Sequence, residues 1–150
     1  MPQALKTLSA PPSGACKSRP SAANDDLSRL TRQRRDLVLR VVPAGFGVSQ
    51  RAMASAGRSD ARAVLARQCG MYLMHVVFSV PVSVVGTLFR KDRTTVAHAC
   101  QRIEDWRDAP AFDAFLHDLE LAVSALDSAV QSRTKHEQLE DFLQLESEPW

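Results

Sequence analysis

The stretch Pro81-Val82-Ser83-Val84-Val85-Gly86-Thr87-Leu88-Phe89-Arg90-Lys91-Asp92-Arg93-Thr94-Thr95-Val96-Ala97-His98-Ala99 decides how this chain is read. Pro81 precedes and Ser83 caps a short apolar helix expected over 84–89. Arg90, Lys91, Asp92 and Arg93 make a compact charged turn, and Thr94-Thr95 lead into a second helix running to about Arg107. On that helix Val96, Ala99, Cys100, Ile103 and Trp106 or Arg107 share one face, whereas Thr94, Ala97, His98, Gln101 and Asp105 share the other. A short helix, a tight turn and a second helix form helix-turn-helix geometry, in which the first turn of the second helix points into the DNA major groove. The backbone there lies close to the base edges, so side chains must be short or forked. Threonine hydroxyls can bond phosphate or a base, a threonine methyl can pack on a thymine methyl, and free N–H groups at a helix N-terminus attract phosphate. Arg93 reaches toward guanine or the backbone, and His98 lies one turn on. The same residues also fit an ordinary helix capped by Thr94 or Thr95, with Arg90, Lys91 and Arg93 as solvated turn charges, and the spacing leaves both readings open.

Outward from this core the apolar periodicity is helical, and no strand pattern or internal repeat is visible. Upstream, Leu30, Leu37, Val38, Val41 and Val42 predict a helix from near Asp25 that Pro43 and Gly45 stop, with 44–48 as connector. Ser49 caps a short helix ending near Gly57, and Asp60 caps a longer one carrying Ala63, Val64, Arg67, Met71, Met74, His75 and Phe78. Leu65, Cys69, Tyr72, Leu73 and Val76 widen its apolar surface, which predicts the central, most buried helix. Downstream, Ala109-Pro110 restarts a helix with a stripe of Phe112, Phe115, Leu116, Leu119, Ala122, Val123 and Leu126. The expected architecture is a small all-α bundle with a helix-turn-helix over 25–128. A Ser/Pro-rich disordered arm at 1–24 and an acidic tail at 129–150, partly helical, flank it.

The composition supports one such core: 150 residues are 45% hydrophobic, 24% charged and 6% aromatic, enough apolar material for a single domain and too little chain for a two-domain enzyme. Three widely spaced cysteines, Cys16, Cys69 and Cys100, offer neither a disulfide framework nor a zinc site, which fits a reducing cytoplasm. The N-terminus has no continuous apolar h-region, and no stretch approaches the roughly 18 apolar residues of a membrane helix. The net charge of +2 conceals a gradient: 1–24 hold three Lys/Arg and no acids, 25–107 fourteen against seven, and 108–150 two against ten. A basic middle before an acidic end predicts a polyanion-binding surface, with a tail that screens it or meets a partner. Fifteen of the nineteen basic residues are Arg, whose planar fork suits phosphate and guanine edges. None of the four Lys follows a Gly, so the phosphate-binding GxxxxGK[ST] loop is missing. His75, His98, His117 and His136 do not pair with Cys at ligand spacing. Cys69, Cys100, Met71 and Met74 read as core, and Asp118, Glu120, Glu140 and Asp141 as solvated acids, so neither cofactor, metal nor catalytic set is expected.

Four segments, Ala66-Arg67-Gln68-Cys69-Gly70-Met71-Tyr72-Leu73, Val85-Gly86-Thr87-Leu88-Phe89, Lys91-Asp92-Arg93-Thr94-Thr95-Val96-Ala97-His98-Ala99 and Ile103-Glu104, carry a family resemblance. Together with Phe46-Gly47-Val48-Ser49 upstream, they resemble the C-terminal DNA-binding domain of the bacterial replication initiator DnaA, over about residues 28–126. The resemblance implies an all-helical reader of DnaA boxes in double-stranded DNA. By it, Asp92, Arg93, Thr94, Val96 and His98 read base edges, while Lys91 and Thr95 hold phosphates. Arg67, Ser83, Arg90, Gln101 and Arg102 complete the expected DNA-contacting set. Three departures stand out: the turn after Phe89 is one residue shorter and has lost its glycines, Arg93 replaces the family's His, and Leu65 occupies the position of its minor-groove Arg. Arg62 is the neighbour able to supply that contact.

The expected function is sequence-specific binding of DnaA-box-like duplex DNA, modulating replication initiation or transcription without nucleotide, membrane or ATPase module. The alternative is a protein-interaction regulator of the initiator DnaA or its inactivation machinery, with DNA binding weak or lost. Under the alternative, Thr94→Ala leaves activity in cells unchanged and deletion of 131–150 abolishes it.

Overall fold

The computed structural model describes residues 22–55 and 60–146, and six helices build this part of the chain. Of the arm expected over 1–24, residues 1–21 lie outside the described residues, as does the end of the second helix near Gly57, while 22–24 are helical. Helix α1 (Ala22–Phe46) starts three residues before Asp25 and passes through Pro43. Proline removes one N–H and crowds the carbonyl four residues back, which costs least near a helix end. Pro43 sits in the last turn, and its own carbonyl accepts from Val48 N at 3.0 Å. The helix stops instead at Gly47, whose φ of +64° is the left-handed backbone that glycine adopts without strain.

Ser49 caps α2 (Gln50–Ala54) by accepting from Ala52 N, and Asp60 caps α3 (Ala61–Val76) by accepting from Arg62 N. Helix α3 is the centre of the molecule. Ala63, Ala66, Cys69, Gly70, Met71, Tyr72, Leu73 and Met74 are all buried, so it is apolar nearly all round, as its sequence predicts. The helix ends at Val76, short of Phe78, and Ser79 turns the chain with φ 54°. His75 Nδ1 lies 2.9 Å from the Val80 carbonyl and ties this turn back to α3. Gly70 marks the tightest crossing: a Cβ there would stand 2.6 Å from Met53 Cε and 3.3 Å from Val38 Cγ1.

Helix α4 (Val82–Phe89) begins after Pro81, which occupies the cap position expected for Ser83. Helix α5 (Arg93–Trp106) begins after Asp92, ahead of the expected Thr94 or Thr95 cap. Helix α6 (Pro110–Glu146) is a single unbroken helix that carries the expected acidic tail forward as helix through Glu146. It runs antiparallel to α1. Phe46 meets Phe115 edge-to-face at 5.0 Å near one end, and farther along Arg34 donates to both Asp127 carboxylate oxygens at 3.0–3.2 Å. Arg34 also lies 4.9 Å over the Phe78 ring, so one side chain joins α1, α6 and the α3–α4 turn.

A second arginine joins α5 to the rest. Arg107, the C-cap of α5, donates to Tyr72 Oη at 2.8 Å, Asp113 Oδ1 at 2.7 Å and Glu120 Oε1 at 2.8 Å. The Tyr72 hydroxyl and the two carboxylates raise its pKa against the opposing effect of burial, so its charge is secure. Trp106 is partly exposed and packs edge-to-face on Phe112 at 5.3 Å.

Candidate nucleic-acid interface

The placement of α5 follows from its buried face. Val96, Ala99 and Ile103 are fully or almost fully buried against the core, with Cys100 half-buried beside them. That seating leaves Thr94, Ala97, His98, Gln101 and Asp105 exposed together, the face the spacing predicts. Beneath the turn, Val85 and Gly86 of α4 are buried. Gly86 lets the two helices close: a Cβ there would lie 2.7 Å from the Lys91 carbonyl oxygen, a rigid backbone atom. The Gly86 carbonyl in turn accepts from Lys91 N at 2.9 Å. The chain reverses through Arg90, the C-cap of α4, at φ 54° and ψ 46°. This left-handed conformation is strained for a residue with a Cβ, by about 1–2 kcal/mol. The strain places a guanidinium at the turn where glycine would be the relaxed choice.

The N-terminus of α5 is open. Asp92 makes no side-chain cap hydrogen bond, and the first N–H groups of a helix have no partner within it. Arg90, Asp92, Arg93, Thr94 and Thr95 are all exposed around this end, and Lys91 is half-buried beside them. Unpaired donors, a positive helix end and three cationic side chains together make a surface suited to an anionic backbone. Farther along, Gln101 Nε2 donates to Asp105 Oδ1 at 3.0 Å, and Arg102 stands 5.7 Å over the Trp106 ring. Both remain exposed. Ser83 is exposed on α4, where its carbonyl accepts from Thr87 Oγ1 at 3.2 Å. Arg62 is exposed in the first turn of α3, away from the exposed candidates on α4, α5 and the turn between them.

Two expected contacts do not reach the surface. Val96 is 0% exposed and packs the inner face of α5 into the core. Arg67 is only 8% exposed. Its guanidinium donates to the carbonyls of Met53 at 2.7 Å, Ala52 at 3.4 Å and Ser55, closing the C-terminal end of α2. A five-donor fork matches helix-end carbonyls as well as it matches phosphate, which is why the sequence misleads at this position. Burial lowers the Arg67 pKa from its ordinary value. Leu65 is half-buried against the core, as an aliphatic side chain should be.

Sequence reasoning missed Arg35. It lies on α1, yet its Nε donates to the Leu88 carbonyl at the end of α4 at 3.1 Å. With Arg90, Lys91 and Phe89 it lines a cleft of about 490 Å³ beside the turn. No local pattern announces a contact spanning fifty-three residues of chain.

Residues 35–103 match the family described as the bacterial dnaA protein helix-turn-helix. This segment is similar to that family. The match takes in the second half of α1, all of α2 to α4 and most of α5, a narrower span than the 28–126 of the sequence resemblance. No curated protein matches the chain. The DnaA-type helix-turn-helix is a DNA-binding module, and its second helix here is α5. Among the described residues no helix is long and apolar enough to cross a membrane, and no three His, Cys, Asp or Glu side chains gather as a metal site. The buried Cys69 thiol is pushed up to about 12 by desolvation, which keeps it protonated and unreactive at neutral pH.

Proposed function

We propose that this chain binds double-stranded DNA at DnaA-box-like sites and thereby modulates replication initiation or transcription in the cytoplasm, at the nucleoid. One observation carries the reading: Thr94, His98 and Gln101 stand on the exposed face of a helix whose opposite face, Val96, Ala99 and Ile103, is locked into the core. In this reading Thr94, His98, Arg93 and Asp92 meet base edges in the major groove, and Gln101 and Arg102 follow along the helix. Thr95, Lys91 and Arg90 hold phosphates around the open N-terminus of α5, with Ser83 on the preceding helix. Arg62 supplies a contact in the adjacent minor groove. Neither Val96 nor Arg67 belongs to the contacting set. Arg93 in place of the family's His puts a forked donor at a reading position and favours a guanine there.

The division between readers and holders is testable by fluorescence anisotropy. Thr94→Ala and His98→Ala are expected to weaken binding to a DnaA-box duplex by about 1–3 kcal/mol each while leaving binding to a scrambled duplex nearly unchanged. Arg90→Ala and Lys91→Ala are expected to weaken both and to shallow the salt dependence by about one unit each. Equal losses on both duplexes for Thr94→Ala and His98→Ala would remove those side chains from base reading.

A further inference from the structure

The described side chains along the last third of α6 stand open to solvent. Every described side chain from Ser132 to Gln144 is exposed, including Leu139 at 55%, Phe142 at 57% and Leu143 at 57%. Spacings of three and four put these three side chains on one face of the helix. Most of the charged residues around them, Glu137, Glu140 and Asp141, are acidic, with Lys135 one turn before Leu139. An apolar ridge in an acidic setting is costly to leave in water and suits a basic-rimmed apolar groove.

The chain carries such a groove. Between the start of α1, the α3–α4 turn and α4 lies an open depression of about 490 Å³, lined by Leu27, Phe78, Pro81, Val84 and Leu88 with Arg32 on its edge. Leu27 is 62% and Val84 41% exposed there. Ridge and groove do not meet within one molecule. Helix α6 has neither Gly nor Pro after Pro110, and its thirty-seven residues span about 55 Å without a kink. A helix without a hinge cannot fold its end back onto its own bundle.

We infer that two copies of this chain pair by each laying the Leu139/Phe142/Leu143 ridge of α6 into the α1–α4 groove of the other. The occupant is a second copy because ridge and groove complement each other in polarity and charge and belong to the same sequence. Reciprocal exchange satisfies both surfaces at once and closes as a two-fold pair. It carries two α5 helices in one particle, which enlarges the small footprint of a single helix-turn-helix. The pairing does not depend on the DNA reading proposed above, because it is measured without DNA.

Sedimentation velocity on the full chain over a concentration series tests it. The sedimenting mass is expected to rise with concentration and level at two chains. Phe142→Ala combined with Leu143→Ala, at exposed positions that leave the bundle untouched, is expected to abolish that rise. Val84→Glu in the groove is expected to do the same, with circular dichroism unchanged in both. Mixing the ridge variant with the groove variant leaves one intact ridge and one intact groove, and is expected to restore pairing in part. A chain that stays monomeric throughout, a ridge variant that pairs like the wild type, or a mixture no better than its components would overturn the inference.

Discussion

Arg67 shows how one side chain can be read correctly for its chemistry and wrongly for its partner. Its sequence neighbourhood resembles a DNA-binding motif, and arginine forks do bind phosphate. The structure instead turns it inward onto the carbonyls of Ala52, Met53 and Ser55. Arg67→Met keeps the length of the side chain and removes the donors. It is expected to lower the unfolding free energy by about 2–4 kcal/mol in urea titration, because hydrogen bonds from a charged donor are lost and buried acceptors are left without it. Binding to duplex DNA, measured where the variant is fully folded, is expected to change less than it does for Arg90→Ala. A variant of wild-type stability that no longer binds DNA would return Arg67 to the interface. Arg90 makes the complementary point: it is exposed, and it holds a backbone conformation better suited to glycine.

Among the elements, α3 is the most buried, and its Cys69 and Tyr72 give it a pH signature. Desolvation pushes the Cys69 thiol from 9.0 to about 12. The Tyr72 hydroxyl rises from 10.0 to about 12, through burial first and its Glu104 hydrogen bond second, against the lowering effect of Arg107. Both groups therefore keep their protons in the folded chain at pH values where the unfolded chain releases them. A group with a raised folded pKa contributes stability below its unfolded value and loses it as pH rises toward the folded one. Stability is expected to fall above pH 9, by about 1.4 kcal/mol per pH unit from Cys69, and more steeply above pH 10 as Tyr72 joins. Urea unfolding of Cys69→Ala across this range checks the assignment: the decline between pH 9 and 10 should flatten. An unchanged slope would place the alkaline sensitivity elsewhere.

Across the whole molecule, the sequence was legible wherever a periodic face met a single core. The spacing on α5 anticipated the burial of Val96, Ala99 and Ile103, though Trp106 on the same expected face stays exposed, and the apolar girth of α3 anticipated its central position. Caps were less legible. Asp60 and Ser49 act as read, but Pro81 and Asp92 displaced Ser83 and Thr94/Thr95, since several neighbouring residues could each begin those helices. Pro43 misled because it falls in the last turn of α1, where a missing N–H costs least, and the chain leaves the helix only at Gly47. The site was legible as a surface and illegible in depth. Local spacing cannot show that Arg67 meets α2, that Val96 is sealed, or that Arg35 reaches across to α4, because each is decided by tertiary packing.

The account as a whole rests on α5 reading sequence rather than merely touching DNA. Fluorescence-anisotropy titration of the full chain against a DnaA-box duplex and its scrambled counterpart, each at several salt concentrations, addresses this directly. Phosphate contacts weaken steeply with salt on any DNA, whereas base contacts distinguish the two duplexes at every salt concentration. The account predicts tighter binding to the box, with the preference persisting as salt rises. Equal, salt-sensitive binding to both duplexes, or no binding to either, would contradict it.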